Sequence, residues 1–222
     1  INKFRGDVKI LKPGLKMLEE RIHIPVLGVV PWMDVGLEDE DSVTERFSRM
    51  MGQGDLDVAV VKLKHISNFT DFQSLALQPG VKVRYAQTSK EVENADLIVL
   101  PGTKNTIEDL IDLRNRGLDA AIIRHARKGG MVIGVCGGYQ MLGRSVSDPE
   151  GVEAAGLTEL RGMGLLEMET VFHGEKVQRQ TAGMFSGVEG MLAGLNELRY
   201  EGYEIHMGRS EAQMPALAGN GN

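Results

Sequence analysis

Residues 131–143 read Met131-Val-Ile-Gly-Val-Cys136-Gly-Gly-Tyr-Gln-Met-Leu-Gly143. The apolar run from Met131 to Val135 predicts a buried parallel strand, because strands covered on both faces read as continuous rather than alternating hydrophobics. It leads straight into Cys136, the only cysteine in the chain. Gly137 and Gly138 follow, and Tyr139-Gln140-Met141-Leu142 predicts the start of a helix. Strand, nucleophile-type residue, glycines and helix, in that order, predict a nucleophile elbow, a sharp turn that presents one side chain at the top of a sheet. The glycines permit the tight backbone and let a substrate approach closely. A helix N-terminus behind Cys136 favours thiolate over thiol. A lone cysteine closing an apolar strand is more often an inert core residue, but a core residue needs neither Gly134 nor the Gly137-Gly138 pair. Gln140, one helical turn past the sulfur, can reach back over the same pocket.

Outward from the elbow, the pattern is α/β. Strands are predicted at Leu56–Leu63, Val81–Tyr85 and Leu97–Leu100, with a helix from Leu118 to Arg127 that Gly129-Gly130 ends. Pro101-Gly102-Thr103-Lys104-Asn105-Thr106 leaves the third strand, and Asn105 or Thr106 is expected to cap a helix carrying Glu108 and Asp109 in its first turn. Backbone N–H groups near Gly102, with that of Gly137, are expected to face a carbonyl oxygen as it gains charge. Between the first two strands, Ser67, Asn68 or Thr70 is expected to cap a short helix. From Leu165 onward the sequence alternates, which predicts an antiparallel hairpin turning at His173-Gly174.

The N-terminal stretch has a different organisation. Residues 1–7 look like the end of a strand, Leu11 to Arg21 is helical with Pro13 near its start, and Pro25 to Pro31 predicts a buried strand. Such a βαβ piece cannot bury its own faces. The acidic run Glu38–Asp41 precedes a helix expected through Met50, and Gly52-Gln53-Gly54 breaks it. The expected organisation is therefore a remnant over 1–37, a linker and helix over 38–54, and a second domain over 55–222.

Composition removes other classes. The 222 residues are 42% hydrophobic and 25% charged with net charge −6, which predicts a soluble globular protein with no nucleic-acid surface. One cysteine excludes a disulfide framework and a cysteine-based zinc site, and no metal centre is expected. No apolar run is long enough to cross a bilayer and no signal peptide is visible, so no membrane partner is expected and the cytoplasm is the default. The chain opens on Ile1, which reads as a fragment of a longer polypeptide.

The string Gly134-Val-Cys-Gly-Gly-Tyr-Gln-Met-Leu-Gly143 resembles the nucleophile segment of class I, triad-type glutamine amidotransferases. More narrowly it resembles the CobB/CobQ-like branch found in cobyric acid synthase and cobyrinic acid a,c-diamide synthase. Ser67-Asn-Phe-Thr-Asp-Phe72, Leu100-Pro-Gly-Thr-Lys-Asn-Thr106 and Tyr203-Glu-Ile-His-Met-Gly-Arg-Ser210 are similar to strings of that branch and occur in the family's order. The resemblance implies a flavodoxin-like, mostly parallel sheet flanked by helices, with an antiparallel extension. It implies glutamine hydrolysis with Cys136 as nucleophile, Gly102 and Gly137 at the oxyanion, and Gly138 and Gln140 positioning glutamine. His206 falls at the active-site rim, and the family's catalytic histidine belongs to a later Gly-Thr-Tyr-Leu-His-Gly-like string that this sequence does not contain.

Asn2-Lys-Phe-Arg-Gly-Asp7 followed by Pro25-Val-Leu-Gly-Val-Val-Pro31 is similar to the last part of a P-loop-type, ATP-dependent synthetase domain, which would place Asn2 and Lys3 near a nucleotide base. ATP and Mg²⁺ are then cofactors of the full-length enzyme, with none in this fragment. The implied role is to supply ammonia for amidation of the b, d, e and g carboxylates of the corrin adenosylcobyrinic acid a,c-diamide in cobalamin biosynthesis. Other readings are a,c-diamide synthesis, amidation of a cell-wall lipid glutamate, a binding domain without catalysis, and a DJ-1-like hydrolase. The last requires an acid close to the cysteine, and residues 100–104 offer none.

Overall fold

The computed structural model describes residues 1–32, 52, 54–154, 159–212 and 218–220. The acidic run and the helix expected up to Met50 lie outside the described residues. The chain divides into two units, Ile1–Val43 and Thr44–Asn222.

In the first unit, α1 (Val8–Ile22) starts at Asp7, whose carboxylate accepts the Lys9 N–H at 2.8 Å. It ends at His23 in the left-handed region, with the His23 N–H on the Glu19 carbonyl at 2.8 Å. Pro13 lies inside the helix. The two flanking segments expected as strands are not strands. They pair in parallel through one bridge, Phe4 to Pro31. The Phe4 N–H donates to the Val30 carbonyl at 3.0 Å and the Trp32 N–H to the Phe4 carbonyl at 2.7 Å. None of the described residues of this unit is buried, and Leu27 is 97% exposed. A single helix beside one short bridge has no second layer to cover its apolar side.

The second unit opens with a parallel sheet of β1 (Leu56–Val61), β2 (Val81–Ala86), β3 (Leu97–Leu100) and β4 (Met131–Gly134), in spatial order β2-β1-β3-β4. A 3₁₀ turn (Phe69–Phe72) and α2 (Gln73–Ala76) connect β1 to β2, and α3 (Ser89–Glu93) connects β2 to β3. Then α4 (Thr106–Asn115) and α5 (Leu118–Arg127) connect β3 to β4. Alternation along β1 and β3 feeds two cores. Ala59, Val61, Ile98 and Leu100 pack with Ile107, Leu110, Leu113 and Ile122 on one face. Val58, Val60 and Val99 pack with Val83 and Tyr85 on the other. Each fully buried aliphatic chain stabilises the fold by about 1.5–3 kcal/mol.

One expectation fails at β4. It is parallel, but it is the last strand of the sheet, and Ile133 and Val135 are 37% and 41% exposed. A continuous apolar run reports a strand that can be covered on both faces. It does not report whether a neighbour is there.

From β4 the chain turns through α6 (Gly137–Met141) into a mixed sheet: β5 (Ser145–Ser147), β6 (Glu159–Arg161), β7 (Met168–Phe185), β8 (Arg199–Ala212) and β9 (Ala218–Asn220). The order is β6-β5-β7-β8 with β9 on β7, and β5 with β7 is its parallel pair. The predicted hairpin at His173-Gly174 does not form, because β7 runs straight through that point. The register passes from Phe172 opposite Gly208 to Val177 opposite His206, so residues 173–176 of β7 stand against Met207 alone on β8. The surplus is a bulge. It is fastened by Glu150, which accepts the Gly174 N–H at 2.8 Å and lies 3.2 Å from His173 Nδ1.

Candidate active site

Three loops meet beyond the carboxyl ends of β1, β3 and β4, the edge where open α/β sheets carry their ligands. The loops after β1 and β3 pair with each other. The Ser67 N–H donates to the Gly102 carbonyl at 2.9 Å, the Lys104 N–H donates to the His65 carbonyl at 3.0 Å, and Ile66 bridges Thr103. Asp109 of α4, fully buried, fixes this pair from below. It accepts the His65 N–H at 3.1 Å, lies 3.0 Å from His65 Nδ1, and takes the Thr103 hydroxyl. Of the two expected caps of α4 it is Asn105 that serves, its side chain accepting the Glu108 N–H at 2.9 Å. In the first loop Asn68 stands at the start of the 3₁₀ turn but makes no side-chain cap bond.

Cys136 is exposed, with φ 50° and ψ −113°. A side chain held in so sparsely populated a region costs about 1–3 kcal/mol, and such strain clusters at functional sites. The corner is closed by the Gly138 N–H on the Val135 carbonyl at 2.9 Å and the Gln140 N–H on the Cys136 carbonyl at 3.1 Å. Helix α6 thus begins at Gly137, two residues before the expected start at Tyr139.

The glycines are here for proximity. A Cβ on Gly138 would sit 2.2 Å from the Leu100 carbonyl oxygen, so no side chain fits between α6 and the end of β3. A Cβ on Gly102 would lie 3.7 Å from the Cβ of Cys136, and one on Gly137 would lie 2.6 Å from the Thr103 methyl. Gly102, Cys136, Gly137 and Gly138 are therefore brought together. Gln140 is near in sequence but its side chain is only 7% exposed. Its Oε1 accepts the Thr106 hydroxyl at 3.3 Å, and its Nε2 would be 2.6 Å from a Cβ on Gly208. It is wedged between α4 and β8.

His206 lies on β8 with Nε2 2.8 Å from Glu204 Oε1 and with Nδ1 buried and unpartnered. Among the described residues no hydrogen bond or ion pair joins it to Cys136. The His206 hydrogen bond, then that of Arg179, hold the Glu204 carboxyl below the usual range. Asn2 and Lys3 belong to the first unit and are exposed, and Asn2 Oδ1 accepts the Lys3 N–H at 2.8 Å. No group of three metal-type side chains occurs among the described residues.

The sequence did not point to Glu153. Its Oε2 accepts the Thr106 N–H at 2.7 Å and the Ile107 N–H at 3.2 Å, capping the first turn of α4 from across the site. Burial pushes its carboxyl up, against the pull of the Ile107 and Thr106 hydrogen bonds, and the charge of Asp148 adds to the rise. Asp148 shapes the loop that carries it, accepting the Val152, Glu153 and Ala154 N–H groups at 2.7, 2.8 and 2.8 Å. Burial pushes the Asp148 carboxyl up, but the backbone N–H groups of Ala154, Val152, Glu153 and Gly151 outweigh it, and the net shift is downward. Asp148-Pro149-Glu150-Gly151 is a legible turn; nothing in sequence marks the acid that follows it.

Residues 57–219 match the CobB/CobQ-like glutamine amidotransferase domain. The chain is 49% identical over 211 residues to a cobyric acid synthase of Thermoanaerobacter sp. (strain X514), covering 95% of this chain and 41% of that protein. It is 52% identical over 213 residues to a cobyric acid synthase of Ruminiclostridium cellulolyticum, covering 96% and 41%. The chain thus spans about two fifths of the length of these relatives. Among solved structures, PurLQS from Thermotoga maritima superposes with TM-score 0.53 at 16% identity, over 70% of this chain and 69% of that one, a likeness of fold. No helix among the described residues is long and apolar enough to cross a membrane.

Proposed function

The chain belongs to the CobB/CobQ-like glutamine amidotransferase family, and from that premise we propose that it hydrolyses glutamine at Cys136, as the ammonia-supplying part of a cobyric acid synthase. The observation that carries this reading is the meeting of an exposed Cys136 at positive φ with the Gly102 loop, a Cβ on Gly102 falling 3.7 Å from that of Cys136. In this reading Cys136 Sγ attacks the side-chain amide carbon of glutamine. The oxygen, as it gains charge, is held by N–H groups near Gly102 and Gly137. The carbon–nitrogen bond then breaks, ammonia leaves with a proton from the shuttle, and water clears the γ-glutamyl thioester. Removing one oxyanion donor from such a site costs roughly 100- to 1000-fold in rate.

Gly138 brings α6 onto the end of β3 and so fixes where the sulfur points. Gln140 acts by packing: it ties α6 to Thr106 and β8 and keeps the glutamine side of the corner in place. We assign the proton shuttle to a histidine other than His206, a reading supported by the fact that no hydrogen bond or ion pair joins His206 to Cys136 among the described residues. Ammonia is then used in ATP- and Mg²⁺-dependent amidation of corrin carboxylates (b, d, e and g of adenosylcobyrinic acid a,c-diamide), outside this site. The first unit is the end of that synthetase region, with the exposed Asn2 amide and Lys3 ammonium contributing to its nucleotide-base pocket.

The test is alkylation by a glutamine-mimicking chloroketone, read by peptide mass spectrometry. Cys136 should be modified, faster than by iodoacetamide and with protection by glutamine, and Cys136→Ser should remove the label. An unmodified Cys136 overturns the assignment. Glutaminase activity that disappears in His206→Ala overturns the assignment of the shuttle.

A further inference from the structure

We propose that Glu153 is a positioning residue for the chemistry at Cys136, holding Thr106 and, through it, the Gly137–Gln140 corner in register with the Gly102 loop. This rests on the glutamine-hydrolysing reading above and adds to it a residue that touches neither substrate nor sulfur.

The links are short and continuous. One carboxylate oxygen of Glu153 takes the Thr106 and Ile107 N–H groups at 2.7 and 3.2 Å. The other lies 3.3 Å from the Thr106 hydroxyl. That hydroxyl is also 3.3 Å from Gln140 Oε1. Thr106 is 1% exposed, so neither of its polar groups has water as a substitute partner. A Cβ on Gly137 would sit 3.0 Å from Thr106 Oγ1, which places the threonine directly against the residue whose N–H is assigned to the oxyanion. The Glu153 carbonyl adds a third tie, accepting the Asn105 amide at 3.2 Å at the end of the Gly102 loop.

The loop bearing Glu153 therefore grips both halves of the oxyanion site at once. In its ionised form Glu153 grips more strongly, since an ionised acceptor forms hydrogen bonds roughly twice as strong as a neutral one. A hydroxyl has one proton, so Glu153 and Gln140 compete for it. Changing the acceptor at 153 therefore changes the hold on Gln140 as well. If Thr106 shifts, Gly137 shifts with it, and a misplacement of about 1 Å at a reacting centre costs roughly 100-fold in rate.

The experiment uses the full chain and separates recognition from alignment. Alkylation by the chloroketone is resolved into a half-saturating concentration and a limiting rate, with iodoacetamide as a probe of bare thiol exposure. Glu153→Gln keeps the volume but removes the charge and puts an NH₂, which only donates, where one carboxylate oxygen accepted. Glu153→Gln and Thr106→Val should lower the limiting rate about ten-fold or more, leaving the half-saturating concentration and the iodoacetamide rate within about two-fold. Thr106→Ser, which keeps the hydroxyl, should restore the rate lost in Thr106→Val. A Glu153→Gln limiting rate within two-fold of wild type overturns the inference, and so does an equal fall with both reagents, which would mark a merely structural role. Should wild-type Cys136 show no preference for the chloroketone, the glutamine reading itself fails and this one with it.

Discussion

At the scale of the residue, the site is a set of exclusions. Nothing larger than hydrogen fits at Gly138, because a Cβ there would meet the carbonyl oxygens of Leu100 and Pro101 at 2.2 and 2.7 Å, and both belong to backbone that cannot swing away. Gly138→Ala should therefore cost about 2–3 kcal/mol in urea unfolding and abolish chloroketone labelling of Cys136. The elbow was legible in the sequence because its strand, turn and helix follow one another directly, although the backbone that excludes a Cβ at Gly138 belongs to the distant end of β3. Glu153 was not legible, because its partner Thr106 is 47 positions away and only the fold makes them neighbours. Asp148 is local by contrast, its N–H partners Val152, Glu153 and Ala154 following it in the same loop. Its carboxyl sits below its ordinary value of 3.8 in the folded chain, so the stabilisation it gives is complete above that value and is lost as pH falls through the lowered one. Asp148→Asn should lower stability at neutral pH by about 2 kcal/mol and flatten the acid limb below about pH 4, measured by circular dichroism across a pH series.

At the scale of the element, helix ends were easier to read than strand neighbours. Asn105 or Thr106 was expected to cap α4, and it is the Asn105 side chain that accepts the Glu108 N–H at 2.9 Å. Asn105→Ala should lower the unfolding free energy by about 1 kcal/mol in urea, the usual cost of a lost N-cap. The cap works across three residues, so sequence suffices. His173-Gly174 misled because glycine in an alternating stretch marks either a turn or a bulge, and local pattern does not separate the two. What decides it is Glu150, reaching from another loop to the Gly174 N–H at 2.8 Å. The apolar run of β4 was correctly parallel but wrongly buried, since burial depends on which strands arrive beside it.

At the scale of the whole molecule, the two units differ in what holds them. The second has two apolar cores built on both faces of its parallel sheet. The first has no buried residue among those described, and its one helix of 15 residues is near the length at which isolated helices are marginal in water. A peptide of residues 1–32 should show little helical signal in far-ultraviolet circular dichroism at 25 °C, and a strong helical spectrum would show that local propensity alone sustains α1. The last strand of the parallel sheet carries a different consequence. Among the described residues β4 has β3 on one side and no strand on the other, and its margin shows Ile133 and Val135 to solvent. An edge strand beside exposed aliphatic side chains is a template for whatever extended chain comes by. Self-association through that margin at high concentration would cover the corner at Cys136 before it disturbed the core.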